Sequence, residues 1–165
     1  MFRLLVFSCI IVFFSCSEGK VGSSEPKSIS KLSKALLQEP NDTVLLKQRR
    51  DLFISNGILD KAILDQQQLY NLDSTNLKYR YDLAEMYFEL SVSNPSYVNK
   101  SLNLLTENNM VYSPMLLLRA KLHYIFQDYS QSLVDLNTYL PSYPFNAEAY
   151  FYKGLNYKEM GDLEM

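Results

Sequence analysis

Apolar residues recur every three or four positions along most of this chain, and that period predicts helices, not strands. Ile29, Leu32, Ala35, Leu36 and Leu37 form a first apolar face that Pro40 ends. Asn41 and Asp42 then offer a cap for a second helix over 43–55, which Gly57 closes. A third helix is expected over 60–71 and a fourth over 77–90. Asn94-Pro95 starts a fifth, running to about Asn109, and Ser113-Pro114 a sixth. A seventh carries Ser132 and ends near Tyr139, Leu140 and Pro144. Asn146 caps the last, which begins at Ala147 and closes in the turn Gly161-Asp162.

Small residues punctuate these helices at a regular interval. Ala84 to Ala120 is 36 residues and Ala120 to Gly154 is 34; on the intervening helices, Ala62 to Ser101 is 39 and Ser101 to Ser132 is 31. A small side chain at a fixed place in alternate helices lets a neighbouring helix come close. The uneven 39 and 31 place about five extra residues in the turn around Ser91–Ser96. Arg50 breaks the rule, standing where Ala84, Ala120 and Gly154 stand in the other units. Either the first crossing is looser or the Arg50 head snorkels out of it.

The run Ala147 to Leu163, with Tyr150, Gly154 and Tyr157 on one face, resembles the first helix of a tetratricopeptide (TPR) repeat. Gly57-Ile58-Leu59-Asp60-Lys61-Ala62-Ile63, followed by Leu69, Leu72 and Asp73, resembles the second. The resemblance implies an all-α fold: a right-handed α-solenoid of antiparallel helix pairs, about three repeats with a half-unit at each end. It covers 28–165, read as one TPR-like domain because no Gly- or Pro-rich break interrupts it. Gln127-Asp128 departs from Gly-Asp, and Asn108 replaces a small residue.

The N-terminus does not share this pattern. Arg3 precedes a run from Leu4 to Phe14 that is apolar apart from Ser8 and Cys9. That length suits a secretory signal and falls short of the ~20 residues of a bilayer span. Phe13-Phe14-Ser15-Cys16 resembles a bacterial lipobox, with Phe13 in place of the usual Leu. The resemblance implies a signal peptide over 1–15, diacylglycerol on the Cys16 thiol and a Ser/Gly-rich tether over 16–27. Cleavage before Cys16 would remove Cys9, leaving no pair for a disulfide. Ser17, where Asp would direct retention, implies the outer membrane of a bacterial envelope.

Composition narrows the chemistry. The formal charge is −2, and loss of Arg3 leaves 15 basic against 18 acidic residues, or −3. With Arg49-Arg50 the longest basic cluster, a nucleic-acid surface is not expected. His123 is the single histidine and occupies the place of Tyr87 and Tyr157 in neighbouring units, which reads as packing. No nucleophile elbow, phosphate-binding Gly loop or dinucleotide fingerprint occurs. Carboxylate pairs such as Asp82 and Glu85, or Glu85 and Glu89, read as solvated helix faces. No catalytic residue, metal ligand or cofactor is expected, and the chain is read as a non-enzyme.

TPR arrays hold peptides or partner domains in a groove lined by the first helices. The matching positions here are Lys47, Asp51, Tyr81, Glu85, Phe88, Leu117, Lys121, Tyr124, Phe151, Leu155 and Lys158. The places where chaperone-binding members grip a carboxylate hold Lys47, Asp51, Asp82, Pro114 and Leu118, so a carboxylate clamp is not implied. The expected function is a lipid-anchored scaffold binding an envelope protein or peptide. A glycan-binding lipoprotein that stacks sugars on groove aromatics is the competing reading, though such proteins are much longer. The uncapped face of the last helix adds an expectation of self-association, or of a partner helix, through Tyr150 to Tyr157.

Overall fold

The computed structural model describes residues 26–106 and 112–161. Cys16, the signal peptide, Asn108, Asp162 and Leu163 lie outside them. The described chain is eight α-helices: α1 Lys27–Gln38, α2 Thr43–Ser55, α3 Leu59–Leu72, α4 Leu77–Leu90, α5 Ser96–Thr106, α6 Ser113–Ile125, α7 Tyr129–Tyr139 and α8 Ala147–Met160. Helices α2/α3, α4/α5 and α6/α7 pack as pairs, α1 covers α2, and α8 covers α7. The fold is the expected all-α, TPR-like α-solenoid: three pairs with a half-unit at each end. Below, α2, α4, α6 and α8 are the A helices, and α1, α3, α5 and α7 the B helices.

Local chemistry sets the ends. Asp42 Oδ1 accepts the Val44 and Leu45 amides at 2.7 and 3.0 Å, and Asn76 and Asn146 cap α4 and α8 in the same way. In the second repeat the turn is longer than in the other pairs, but by two residues and not five, the remainder lengthening the ends of α4 and α5; α5 starts at Ser96, with Asn94 Oδ1 accepting from its amide and hydroxyl. Gly57 and Gly161 adopt φ +71° and +76° after α2 and α8. Gln127 holds φ 61° after α6, the left-handed conformation that a side chain disfavours. Gly-Asp became Gln-Asp in sequence without changing the backbone.

The core is a string of clusters between successive helices, not one central mass. Ile29, Phe53, Ala62, Ile63, Leu83 and Met86 join the first units. Ala84, Leu105, Met115, Leu118 and Leu122 join the middle ones, and Leu116, Ala120, Leu136, Leu140 and Ala149 the last. The small residues sit at the crossings: Ala84 and Ala120 are fully buried. Buried hydroxyls lock them, Ser101 Oγ donating to the Ala84 carbonyl at 2.7 Å and Ser132 Oγ to the Ala120 carbonyl at 2.9 Å.

An ion pair that the sequence did not lead one to expect recurs two repeats apart. Arg49 donates to both oxygens of buried Asp65, Nε to Oδ2 at 2.9 Å and Nη2 to Oδ1 at 2.5 Å. Arg119 grips buried Asp135 in the same two-pronged way, at 2.8 and 2.6 Å. Each arginine also reaches the preceding B helix, through Ser33 Oγ at 3.2 Å and the Leu105 carbonyl at 3.3 Å. Each therefore ties three helices together. In the middle repeat the equivalent places hold Leu83 and Leu104, which pack in one cluster. The same helix pair is thus held once by oil and twice by charge.

Removing the Asp135 carboxylate leaves the Arg119 guanidinium without its partner. Asp135→Ala should cost about 3 kcal/mol, the lower end for a broken buried pair because Arg119 is a quarter exposed. The double substitution Arg119→Leu/Asp135→Leu, copying Leu83 and Leu104, should recover most of that loss. Urea melts of the unmodified chain and the two variants check it; equal losses in the single and double variants would refute the equivalence. Gln127→Gly should raise stability by about 0.5–1 kcal/mol by relieving the left-handed side chain, read from the denaturant midpoint.

Candidate functional site

The A helices line two clefts in succession. The first, of about 300 Å³, lies between α2 and α4 and is bounded by Arg50, Ile54, Lys78, Asp82, Glu85 and Glu89. The second, of about 200 Å³, lies between α4 and α6, with Glu148 of α8 at its edge. Tyr81, Glu85, Phe88, Leu117 and Lys121 gather there as the sequence placed them, joined by Glu89, Pro114 and Leu118. The other groove positions are spread out. Lys47 lies over the Tyr79 ring at 5.1 Å, and exposed Asp51 accepts from Arg50 Nε at 2.8 Å. Tyr124 sits within an aromatic group, tilted to Tyr129 at 5.8 Å and edge-on to Tyr152 at 5.7 Å. Phe151 is 61% exposed, with its ring edge-on to Tyr152; Leu155 is half-buried and Lys158 exposed.

Arg50 explains the opening of the first cleft. Helices α2 and α3 pack closely in spite of it, so the crossing is not loosened. Instead its guanidinium reaches sideways: Nη1 donates to Gln66 Oε1 at 2.6 Å and lies 3.8 Å from Asp82 Oδ2. Fully buried Gln66 passes the link on, its Nε2 donating to the Tyr79 carbonyl at 2.8 Å. An Arg in place of Ala keeps α2 and α4 apart, whereas α4 and α6, and α6 and α8, make close backbone approaches. The sequence signal for this was visible in Arg50 itself; its partner Gln66 was not.

Charges inside the clefts are largely answered. Lys78 pairs with Asp82, and Lys121 Nζ donates to Glu148 Oε1 at 2.8 Å while lying over the Phe88 ring at 5.1 Å. Among the described residues no cation pairs with Glu85 or Glu89. Glu85 Oε1 accepts only the Tyr81 hydroxyl, at 2.6 Å. Burial and that hydrogen bond hold the Tyr81 phenol well above its ordinary value of 10.0. Two carboxylates one helical turn apart therefore stand at the junction of the two clefts, beside an apolar floor.

The floor aromatics are not free ligands in waiting. Tyr81 and Phe88 pack half-buried against the Ala84–Leu122 cluster, and Tyr81 meets the Tyr112 ring edge-on at 5.9 Å. Leu117 does the same for the last cluster. Truncating Tyr81 or Phe88 would therefore disturb the fold, whereas exposed Phe151 could be truncated without touching it. His123, read as packing, is half-buried, with Nδ1 3.8 Å from Asp128 and Nε2 4.0 Å from Asp135. Among the described residues no three His, Cys, Asp or Glu side chains converge as a metal site would require, and no helix is long and apolar enough to cross a membrane.

Raised phenol values tie stability to high pH. A group whose folded value lies above its unfolded one contributes stability that is present below the unfolded value, near 10, and is lost as pH rises through the folded one. An alkaline titration followed by tyrosine absorbance should show Tyr81 ionising after the exposed tyrosines. Tyr81→Phe should remove one phenol from the late phase and flatten the fall of stability above pH ~10.

No protein-family model and no curated protein matches the chain. Solved structures do. A crystal structure of MamA aligns with a TM-score of 0.67 at 19% identity, over 81% of this chain and 77% of its own. A tetratricopeptide repeat protein from Parabacteroides merdae aligns at 0.66 and 20%, over 81% of this chain and 53% of that one. A thermophilic TPR protein of Thermus thermophilus aligns at 0.59 and 19%, over 81% and 73%. At such identities the likeness is one of fold: this chain is built as TPR proteins are.

Proposed function

We propose that this chain is a non-enzymatic interaction scaffold, held by lipid on Cys16 at the outer membrane of a bacterial envelope, that binds a segment of another envelope protein along its A helices. The observation that carries the reading is the pair of adjoining clefts with Glu85 and Glu89 between them. An apolar floor gives a docked segment area to bury, and the two carboxylates without a cation favour a segment carrying Lys or Arg. Every basic residue lining the clefts already has an acidic neighbour, so an acidic segment would meet excess negative charge. Support for the anchor is the apolar run, Ser15-Cys16 and the polar residues that follow. Two or more acyl chains hold a protein firmly where one does not.

Capture from detergent-solubilised envelopes tests the groove. The unmodified chain should retain a partner that Glu85→Gln/Glu89→Lys loses; Gln keeps an acceptor for Tyr81, so the fold survives, as circular dichroism should confirm. Phe151→Ala, exposed and outside the clefts, should bind as before. Retention of the partner by the double variant would overturn the groove assignment. Mass spectrometry of the mature N-terminus tests the anchor separately. A diacylglyceryl-modified Cys16 at the first position is expected, and an unmodified start beyond it would refute lipidation.

A further inference from the structure

Asn56-Gly57 is the one place in the chain where glycine follows asparagine. It lies in the exposed turn that joins α2 to α3, with Asn56 closing α2 and Gly57 at φ +71°. The pair is reactive by its chemistry. A backbone nitrogen can attack the side-chain amide carbon of the residue before it, and glycine has no Cβ to block the approach. Packing does not ask for this glycine, since a Cβ at position 57 would meet nothing within 4 Å. The third pair makes the same left-handed turn with Gln127, preceded by Phe126, and so lacks the reactive combination.

We propose that Asn56 is a self-modification site, converting to aspartate or isoaspartate when this turn opens, and that the closed turn holds the reaction off. The Gly57 nitrogen gives up its proton and bonds to the Asn56 side-chain carbon. The bond from that carbon to Nδ2 breaks, and the amide nitrogen leaves with the proton as ammonia. Water then opens the imide ring. Addition at the side-chain carbonyl gives aspartate; addition at the backbone carbonyl gives isoaspartate, in which the main chain runs through the side chain. In the closed turn both reactants are tied down. Gly57 N–H donates to the Ile54 carbonyl at 2.9 Å, and Asn56 Nδ2 donates to the Leu52 carbonyl at 2.7 Å. The Asn56 ψ of 7° also turns the Gly57 nitrogen away from the carbon it would attack. Either product opposes reclosure. A carboxylate at position 56 has no proton to offer the Leu52 carbonyl and stands at the negative end of α2. Isoaspartate adds a backbone atom, so the bonds from Gly57 to Ile54 and from Ile58 to Phe53, at 2.8 Å, lose their register. Phe53 and Ile58 belong to the cluster that joins α2 and α3, and α2 carries the Arg50 wall of the first cleft.

Peptide mapping by mass spectrometry reads the conversion, and chromatography separates the two products, which have equal mass. The detergent-solubilised full chain, incubated at mildly alkaline pH, should convert at least about tenfold more slowly than the same chain unfolded in guanidinium chloride. Gly57→Gln, copying the turn of the third pair, should keep the helical circular dichroism and stop conversion in both conditions. Chain converted while unfolded and then returned to buffer should melt at a lower denaturant midpoint than unconverted chain handled alike. Equal rates in the folded and unfolded chain would show that the turn protects nothing and overturn the inference. So would an unfolded chain that does not convert, a Gly57→Gln variant that converts as the unmodified chain does, or a converted chain with an unchanged midpoint.

Discussion

Everything in this solenoid depends on how closely each A helix can approach the B helix that follows it. Two backbones come together only where a side chain is small, and the hydroxyl of a small residue buried there must find an acceptor, which the second lone pair of a helix carbonyl supplies. Ser101 and Ser132 meet both demands, being small enough for the crossing and carrying a hydroxyl for the carbonyls of Ala84 and Ala120. Beside the crossing, a second contact sets the angle and reaches the helix before. It is a guanidinium on a carboxylate in the outer repeats and leucine on leucine in the middle one. The alternation is physically reasonable because a buried ion pair and an apolar pair of similar size hold a site with comparable strength. The charged version adds direction, since a two-pronged guanidinium fits one orientation of its carboxylate.

The clefts are a consequence of the same crossings. Because the B helices carry most of the packing, the opposite faces of the A helices are free to vary in spacing. Arg50 shows how one substitution is absorbed: it leaves the α2–α3 pairing intact and moves the disturbance to the neighbouring A helix, where Gln66 and Asp82 receive it. The result is a cleft with Arg50 and Ile54 on the α2 side and Asp82, Glu85, Met86 and Glu89 on the α4 side. Aromatics such as Tyr81 and Phe88 serve two ends at once, one edge in the core and one on the cleft. Binding surface and stability are therefore coupled in the middle of the array and separable on α8, where Phe151 stands clear.

Much of this was legible in the residues themselves. The apolar period, the capping Asp42 and Asn146, and the small residues at intervals near 34 identify helices, their starts and their crossings, because each depends on neighbours along one helix or on a constant repeat length. The long turn before Ser96 was readable for the same reason. Register alone also put Tyr81, Glu85, Phe88, Leu117 and Lys121 on one face of the A helices, and these five line a single cleft.

What only the tertiary structure decided involves pairs of residues whose meaning lies in each other. Arg49 and Asp65 look like ordinary exposed charges on two amphipathic helices, as do Arg119 and Asp135. Burial follows only when three helices converge on them, although their identical spacing of sixteen was a signal waiting in the aligned repeats. Gln66 as the receiver of Arg50, and the half-burial of Tyr81 and Phe88, depend likewise on how far apart neighbouring A helices come to rest. Sequence determined the period of this protein because helical periodicity is local. Tertiary structure decided its charges and clefts because electrostatic pairing and burial depend on distances that no single helix sets.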